Sequence, residues 1–311
     1  MMKTKAVDRS RLLKLIGRFR EQSIVLLGDL VADEFINGEI TRVSREAPVL
    51  ILKERERRIV PGGGANAANN LVDLGARLIL AGVVGEDEAG HALLRYFESK
   101  GVSTDSVERR RDYRTPTKSR ILGAVGHARP QQVVRIDREP AAKLPQQVRR
   151  ALLNTVDSRA AAVLVSDYGY GAVDARQVTS LRRRLGRRTP ITVDSRYDLR
   201  SYHHVTAATP NEPELEAAFG ERITGDPTLL HRLAHACLRR QSLGACLVTR
   251  GRDGMALFEP GKAPRHLPIF GSDQVADVTG AGDTVIAAFT LALAAGAKLD
   301  PAAAARQWIT A

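Results

Sequence analysis

Residues 161–194 read AAVLVSDYGYGAVDARQVTSLRRRLGRRTPITVD. Two short apolar runs, 161–166 and 191–194, flank a stretch at 175–185 whose apolar residues recur with helical spacing. Strand, helix and strand in that order make a parallel βαβ unit, since an antiparallel pair needs only a tight turn. The alternation extends both ways. Upstream, strands are expected at 23–27 and 78–84, and helices at 65–74 and 88–100. Downstream come helices at 212–219 and 228–241, a strand at 245–249, and closing helices from Ala281 and from Pro301. This layout predicts an α/β fold: a doubly wound, mostly parallel sheet flanked by helices.

Two stretches break the rhythm. Residues 34–60 and 115–136 hold strand-like segments (49–52, 118–122, 132–136) with no helix between them, which predicts a small β lid on a single domain spanning 1–311. Residues 1–22 carry charges throughout and read as an amphipathic helix with Leu12, Leu13, Ile16 and Phe19 on one face, not as a secretory signal. No run approaches the roughly 20 apolar residues of a membrane span, so a soluble, cytoplasmic chain is expected. Cys237 and Cys246 are too few for a disulfide framework and read as buried thiols.

A formal charge of +12 raises nucleic acid as a partner, and the arginine-rich runs 109–114 and 182–188 sharpen the question. Neither run is interleaved with stacking aromatics, so solvated faces are the better reading and no nucleic-acid partner is expected. The positive excess also suits anionic small molecules. His231 and His235 stand four apart on one helix, but with no third ligand they read as edge histidines.

The most informative motif is Asp277-Val278-Thr279-Gly280-Ala281-Gly282-Asp283-Thr284, followed by VIAAFTLALAAG. Small residues at 280–282 let backbone N–H groups converge at a helix N-terminus, where four donors lack intrahelical partners and the dipole favours an anion. Asp283, at the same turn, is placed to take a proton from an attacking hydroxyl. A glycine-rich turn capped by aspartate reads the same way, and the isolated tetrapeptide does not choose between them. A second motif, Pro61-Gly62-Gly63-Gly64-Ala65-Asn66, opens a helix without the Lys-Ser or Lys-Thr pair of a nucleotide P-loop. Its glycines let backbone approach a ligand, and Asn66 offers a donor and an acceptor to a sugar hydroxyl. On its own, a tight strand-to-helix turn explains it better.

Together with Gly28-Asp29 and Asp33 after the first strand, these segments resemble the ribokinase-like (PfkB) sugar kinase family in identity, order and spacing. The likeness runs from about Ile24 to the C-terminus. Within that family it extends to the D-glycero-β-D-manno-heptose 7-phosphate kinases at Ser44-Arg45-Glu46-Ala47-Pro48-Val49, Gln132-Val133-Val134-Arg135-Ile136-Asp137, Ser166-Asp167-Tyr168 and Thr209-Pro210-Asn211.

The resemblance implies an ATP- and Mg²⁺-dependent kinase acting on a sugar or sugar phosphate, most simply heptose 7-phosphate to its 1,7-bisphosphate. It implies Asp283 as catalytic base and the amides of Gly280, Ala281 and Gly282 as the anion hole. Asp33, Gly62, Gly63 and Asn66 would hold the sugar. Asn211 and Glu214 would lie near the ATP phosphates, Glu214 reaching Mg²⁺ through water, and Thr249 and Gly251 would touch the nucleotide. Asp277 and Thr279 match positions that bind a monovalent cation, K⁺, in some members. Arg135, and Arg196 in place of the family's lysine, are candidates for the phosphorylated end of the substrate.

Departures accompany the likeness. Tyr170 stands where those kinases carry lysine, which argues for a free sugar, and Asp194-Ser195-Arg196 replaces Asp-Pro-Lys. The chain ends at Ala311 inside a helix that in relatives carries part of the adenine pocket, so weaker nucleotide affinity is expected. No His-x-Gly-His segment marks the nucleotidyltransferase half fused to some heptose kinases. The lid's open strand edges lead to an expected homodimer through the lids. Competing readings are a kinase for another sugar or nucleoside, and a non-catalytic sugar- or nucleotide-binding relative.

Overall fold

The computed structural model describes residues 9–269 and 280–297, apart from 127, 142, 158 and 224, together with residue 299. The chain opens with α1 (Arg9–Gly17) and β1 (Ser23–Gly28), then two long strands, β2 (Leu30–Val43) and β3 (Leu50–Gly62). It continues through α2 (Gly63–Asp73), β4 (Arg77–Gly85), α3 (Glu88–Ser99), β5 (Val107–Arg110), β6 (Thr117–Ala124) and β7 (Gln131–Arg138). Next come α4 (Gln146–Asn154), β8 (Ala162–Asp167), α5 (Ala175–Leu185), β9 (Ile191–Ser195), β10 (Ala207–Ala208), α6 (Glu212–Phe219) and α7 (Pro227–Gln241). The described part closes with β11 (Ala245–Thr249), β12 (Met255–Phe258), β13 (Arg265–Leu267) and α8 (Ala281–Ala294).

Alternation along β1 explains the layering. Val25 and Leu27 enter a core with residues of α4, α5 and α7, while Ile24 and Leu26 enter a second core with residues of α2, α3 and α8. A strand covered on both faces needs apolar side chains at every position, hence the unbroken runs at β1 and β8. The main sheet runs β13-β12-β11-β10-β9-β8-β1-β4-β5, parallel except for β12 and β13. Because β1 is flanked by β4 on one side and β8 on the other, the order reverses there, and ligand crevices form outside the carboxyl ends of strands at such a point.

The second sheet, β3-β2-β6-β7, stands apart as the lid and grows directly from the end of β1. Its register puts Asp33 opposite Lys118, Lys118 opposite Asp137, and Arg120 opposite Arg135, so these five side chains share one face. The opposite face carries the exposed Val134 and Ile136.

The amphipathic N-terminal helix forms, but its face differs from expectation. Leu12 and Phe19 are buried, whereas Leu13 and Ile16 are 59% and 39% exposed. Leu15 packs on the core instead, because positions 12, 15 and 19 follow the 3.6-residue period and 13 lies about 100° off it. Among the described residues no helix is long and apolar enough to cross a membrane. Both cysteines are buried free thiols. The 109–114 run is partly ion-paired, Arg110 with Asp112 and Arg111 with Glu86.

Candidate functional site

At the reversal point, between the strand ends and the lid, lies a cavity of about 370 Å³. Asp283 is 5% exposed in its wall, in the first turn of α8. Asn66 Nδ2 donates to its Oδ2 at 2.7 Å and Tyr168 O–H donates to its Oδ1 at 3.0 Å. Burial pushes the Asp283 carboxyl up to about 6 from its ordinary 3.8, although both hydrogen bonds and Lys118 favour the charged form. A carboxylate so poised can accept a proton near neutral pH.

The turn before α8 is glycine for a steric reason. Gly280 has φ +81°, and a Cβ there would come within 2.5 Å of Asn66 Nδ2. No side chain caps this helix, so its first amides have no intrahelical acceptor and point to an open N-terminus. Gly280 and Gly282 line the cavity beside Asp283; Ala281 is exposed outside the lining.

Tyr168 is positioned from below. The fully buried Asp29 carboxylate accepts the N–H groups of Tyr168 (2.8 Å), Tyr170 (3.0 Å) and Ala172 (2.9 Å), which fixes the loop after β8. Burial raises the Asp29 pKa to about 6 against those three bonds. Tyr170 itself turns to Glu139 and stays out of the lining, so it does not oppose an anion in the cavity.

The lid supplies cations. Arg120 Nη1 lies 2.9 Å from Asp33 Oδ1, but the pair is not aligned as a hydrogen bond, and both buried atoms keep unmet hydrogen-bonding capacity. We read this as an ion pair that a ligand hydroxyl can enter. Lys118 sits 5.1 Å over the Tyr168 ring, its pKa lowered by burial and by Arg196. Arg135 lines the cavity with its fork already engaged by Asp137 at 2.7 and 2.6 Å.

Across the cavity, Asn211 and Glu214 form a reciprocal capping box on α6. Asn211 Oδ1 accepts Glu214 N–H at 2.7 Å, and Glu214 accepts Asn211 N–H at 2.9 Å. Both also line the cavity, as do Thr249, Arg196 and the buried, partnerless Thr209 hydroxyl. The Asp194 and Glu214 carboxyls are both raised, foremost by burial and then, for Asp194, by Glu214 itself. A cation between them would relieve that cost. Among the described residues no three ligating side chains cluster.

Of the sequence-derived candidates, Asp33, Gly63, Asn66, Arg135, Asn211, Glu214, Thr249, Gly280, Gly282 and Asp283 meet at this cavity. Gly62 lies just behind, where a Cβ would strike the Asp33 carboxylate at 2.6 Å, and Gly251 is outside the lining. Asp277 and Thr279 lie outside the described residues. Lys118, Arg120, Tyr168 and Asp194 line the cavity without a role in the motif reading. The alternation of Lys118 and Arg120 about Ser119 was the available signal, since it puts both on one face of a strand.

The family model described as "pfkB family carbohydrate kinase" matches residues 22–308. "Bifunctional protein HldE" of Pelobacter propionicus is 36% identical over 302 residues, covering 96% of this chain and 60% of that protein. Its namesake in Geobacter sulfurreducens is 37% identical over 297 residues, covering 93% and 59%. The chain thus spans about 60% of the length of these relatives. In fold it is similar to a ribokinase from Arabidopsis thaliana complexed with ribose and ATP (TM-score 0.67, 21% identity, 90% and 88% of the two chains). It is also similar to phosphofructokinase-2 from Escherichia coli in complex with fructose-6-phosphate (TM-score 0.71, 20% identity, 89% and 88%). With the family model covering nearly all of its length, the chain belongs to the pfkB family of carbohydrate kinases.

Proposed function

We propose that this kinase transfers the terminal phosphoryl group of ATP to a hydroxyl of a sugar phosphate, with D-glycero-β-D-manno-heptose 7-phosphate as acceptor and the 1,7-bisphosphate as product. The observation that carries it is Asp283, buried and doubly hydrogen-bonded, beside an uncapped helix N-terminus and facing a cationic lid. Asp283 takes the proton of the acceptor hydroxyl as the new P–O bond forms and ADP leaves. The amides at Gly280 and Gly282 receive the charge on the transferring group, and the helix dipole adds to them. Asp33 and Asn66 orient sugar hydroxyls, with the Asp33–Arg120 pair opening to do so. Lys118, Arg120 and Arg196 favour a phosphorylated over a free sugar, because a desolvated phosphate needs cations or N–H donors. Asn211, Glu214 and Thr249 form the nucleotide side, and Asp194 and Glu214 would hold Mg²⁺ through water. Bound there, Mg²⁺ would neutralise phosphate charge. Asp277 and Thr279 are proposed to hold K⁺.

The lid would close over the acceptor and exclude water. Its outer face, with Val134 and Ile136 exposed, supports a homodimer through the lids, and ATP as donor supports a cytoplasmic location. An ATP-consumption assay across free and phosphorylated sugars tests the substrate. The reading requires turnover with heptose 7-phosphate well above that with the free heptose, and equal turnover would favour a kinase for another sugar.

A further inference from the structure

A second cavity, of about 660 Å³, is at the other end of the sheet. Its walls are the residues just before β10 and β11, the C-terminal end of α5 and the last turns of α7. The arginine-rich run at 182–188, expected to be a solvated face, contributes two of its side chains here. Arg182 turns inward: Nη1 donates to the carbonyls of Gly186 (2.5 Å) and Thr189 (2.9 Å), and Nη2 to Thr206 Oγ1 (3.2 Å). Its Nε is buried with no partner. Among the described residues no carboxylate forms an ion pair with this guanidinium, and its charged neighbour is Arg187, a like charge.

The rest of the lining compounds the imbalance. Arg187, Arg239, His204 and His235 join Arg182, and among the described residues no acidic side chain lines the cavity. Long basic side chains at a protein surface ordinarily turn into water or meet carboxylates. Here five basic groups converge on one concavity, and a half-buried charge without a counter-ion is a standing cost. The backbone is unusual at the same place. Among the described residues the two non-glycine positions with positive φ are His204 (+58°) and Ser242 (+54°), and both line this cavity. Left-handed non-glycine residues persist where the surrounding structure over-determines them, often at ligand sites.

We propose that this cavity is a second anion site, which binds a small phosphorylated metabolite away from the catalytic cleft. Arg182 offers its free Nε as a pre-positioned donor, held in place by three other hydrogen bonds. The exposed Arg187 and Arg239 close on the phosphate as planar forks. A compact ligand is favoured over a nucleic-acid strand because the charges line a concavity and not an extended stripe.

The test uses inorganic pyrophosphate as probe, in Mg²⁺-free buffer, by isothermal titration calorimetry on the full chain. Three proteins are compared: the unmodified chain, Arg187→Gln/Arg239→Gln, and the cleft variant Lys118→Gln/Arg120→Gln. Arg182 is left intact because its fork ties α5 to the strand ends. The proposal expects, beside any binding in the cleft, a site that survives in the cleft variant, weakens at least about tenfold in the Arg187/Arg239 variant and weakens with added salt. It is overturned if no heat appears up to millimolar pyrophosphate, if all binding is lost in the cleft variant, or if Arg187→Gln/Arg239→Gln binds as the unmodified chain does. None of these readouts requires catalysis, so failure here is distinguishable from failure of the proposed kinase reaction.

Discussion

Asn66 and Asp283 are 217 positions apart in sequence, yet Asn66 Nδ2 donates to the Asp283 carboxylate at 2.7 Å. The bond joins the N-terminal turns of α2 and α8, so the two glycine-rich motifs meet at one cavity. Gly280 is what permits the approach, since a side chain there would collide with the amide.

Replacing Asp283 should change how stability depends on pH. Its pKa is about 6 in the folded protein against 3.8 ordinarily, so the folded state holds a proton more tightly than the unfolded chain. The ionised form therefore costs about 3 kcal/mol above pH 6, and the cost disappears as pH falls through that window to below 3.8. Asp283→Asn removes the ionisable group, and its amide nitrogen does not accept the bond that Asn66 or Tyr168 donates. Its melting temperature relative to that of the unmodified chain should therefore be several degrees higher at pH 7 than below pH 4. An equal gap at both pH values would contradict the burial argument.

Tyr168→Phe should move the acid limb of the rate profile. The phenol donates to the charged carboxylate and so lowers its pKa, and removing that donor raises it. In the unmodified kinase kcat/KM should fall about tenfold per pH unit below about 6. In Tyr168→Phe the fall should begin at higher pH; a limb that stays in place would show that the bond carries no electrostatic role.

The two lid arginines should separate. Arg120 meets Asp33 without hydrogen-bond alignment, whereas Arg135 is neutralised bidentately by Asp137 and is 42% exposed. Arg120→Ala should raise KM for the sugar phosphate about tenfold or more, Arg135→Ala less, and neither should change KM for ATP, the pattern of lost uniform binding. A larger effect at Arg135 would reverse their order.

Dimerisation through the lid should depend on its outer face. Ile136→Asp places a charge on a residue 43% exposed beside Val134, where it leaves the monomer core untouched. Light scattering at micromolar concentration should give a dimer for the unmodified chain and a monomer for the variant. A monomer in both cases removes the proposed interface.

The parallel core was legible because both periods were clean: α5, α6 and β11 begin and end where the pattern places them. The edge strands β12 and β13 were not, since runs of four and three residues carry too little periodicity. The site was legible where backbone geometry demands particular residues, as at Gly280 and Asp283. It was illegible where a charged side chain is recruited from a strand or helix that reads as a solvent face. Lys118 and Arg120 look like surface charges until β6 is paired with β2, and Arg182 until α5 is packed over β9 and β10. The Asn211–Glu214 motif had two readings, cap and ligand site, and the structure satisfies the first while leaving both side chains on the cavity wall.

The most direct measurement is steady-state turnover of D-glycero-β-D-manno-heptose 7-phosphate with MgATP by the unmodified chain and by Asp283→Asn. The account predicts robust ADP release for the first and a loss of about 10² to 10⁴ in kcat for the second, with the variant folded by its thermal melt. Near-normal turnover in Asp283→Asn would contradict Asp283 as the base, and with it the central claim.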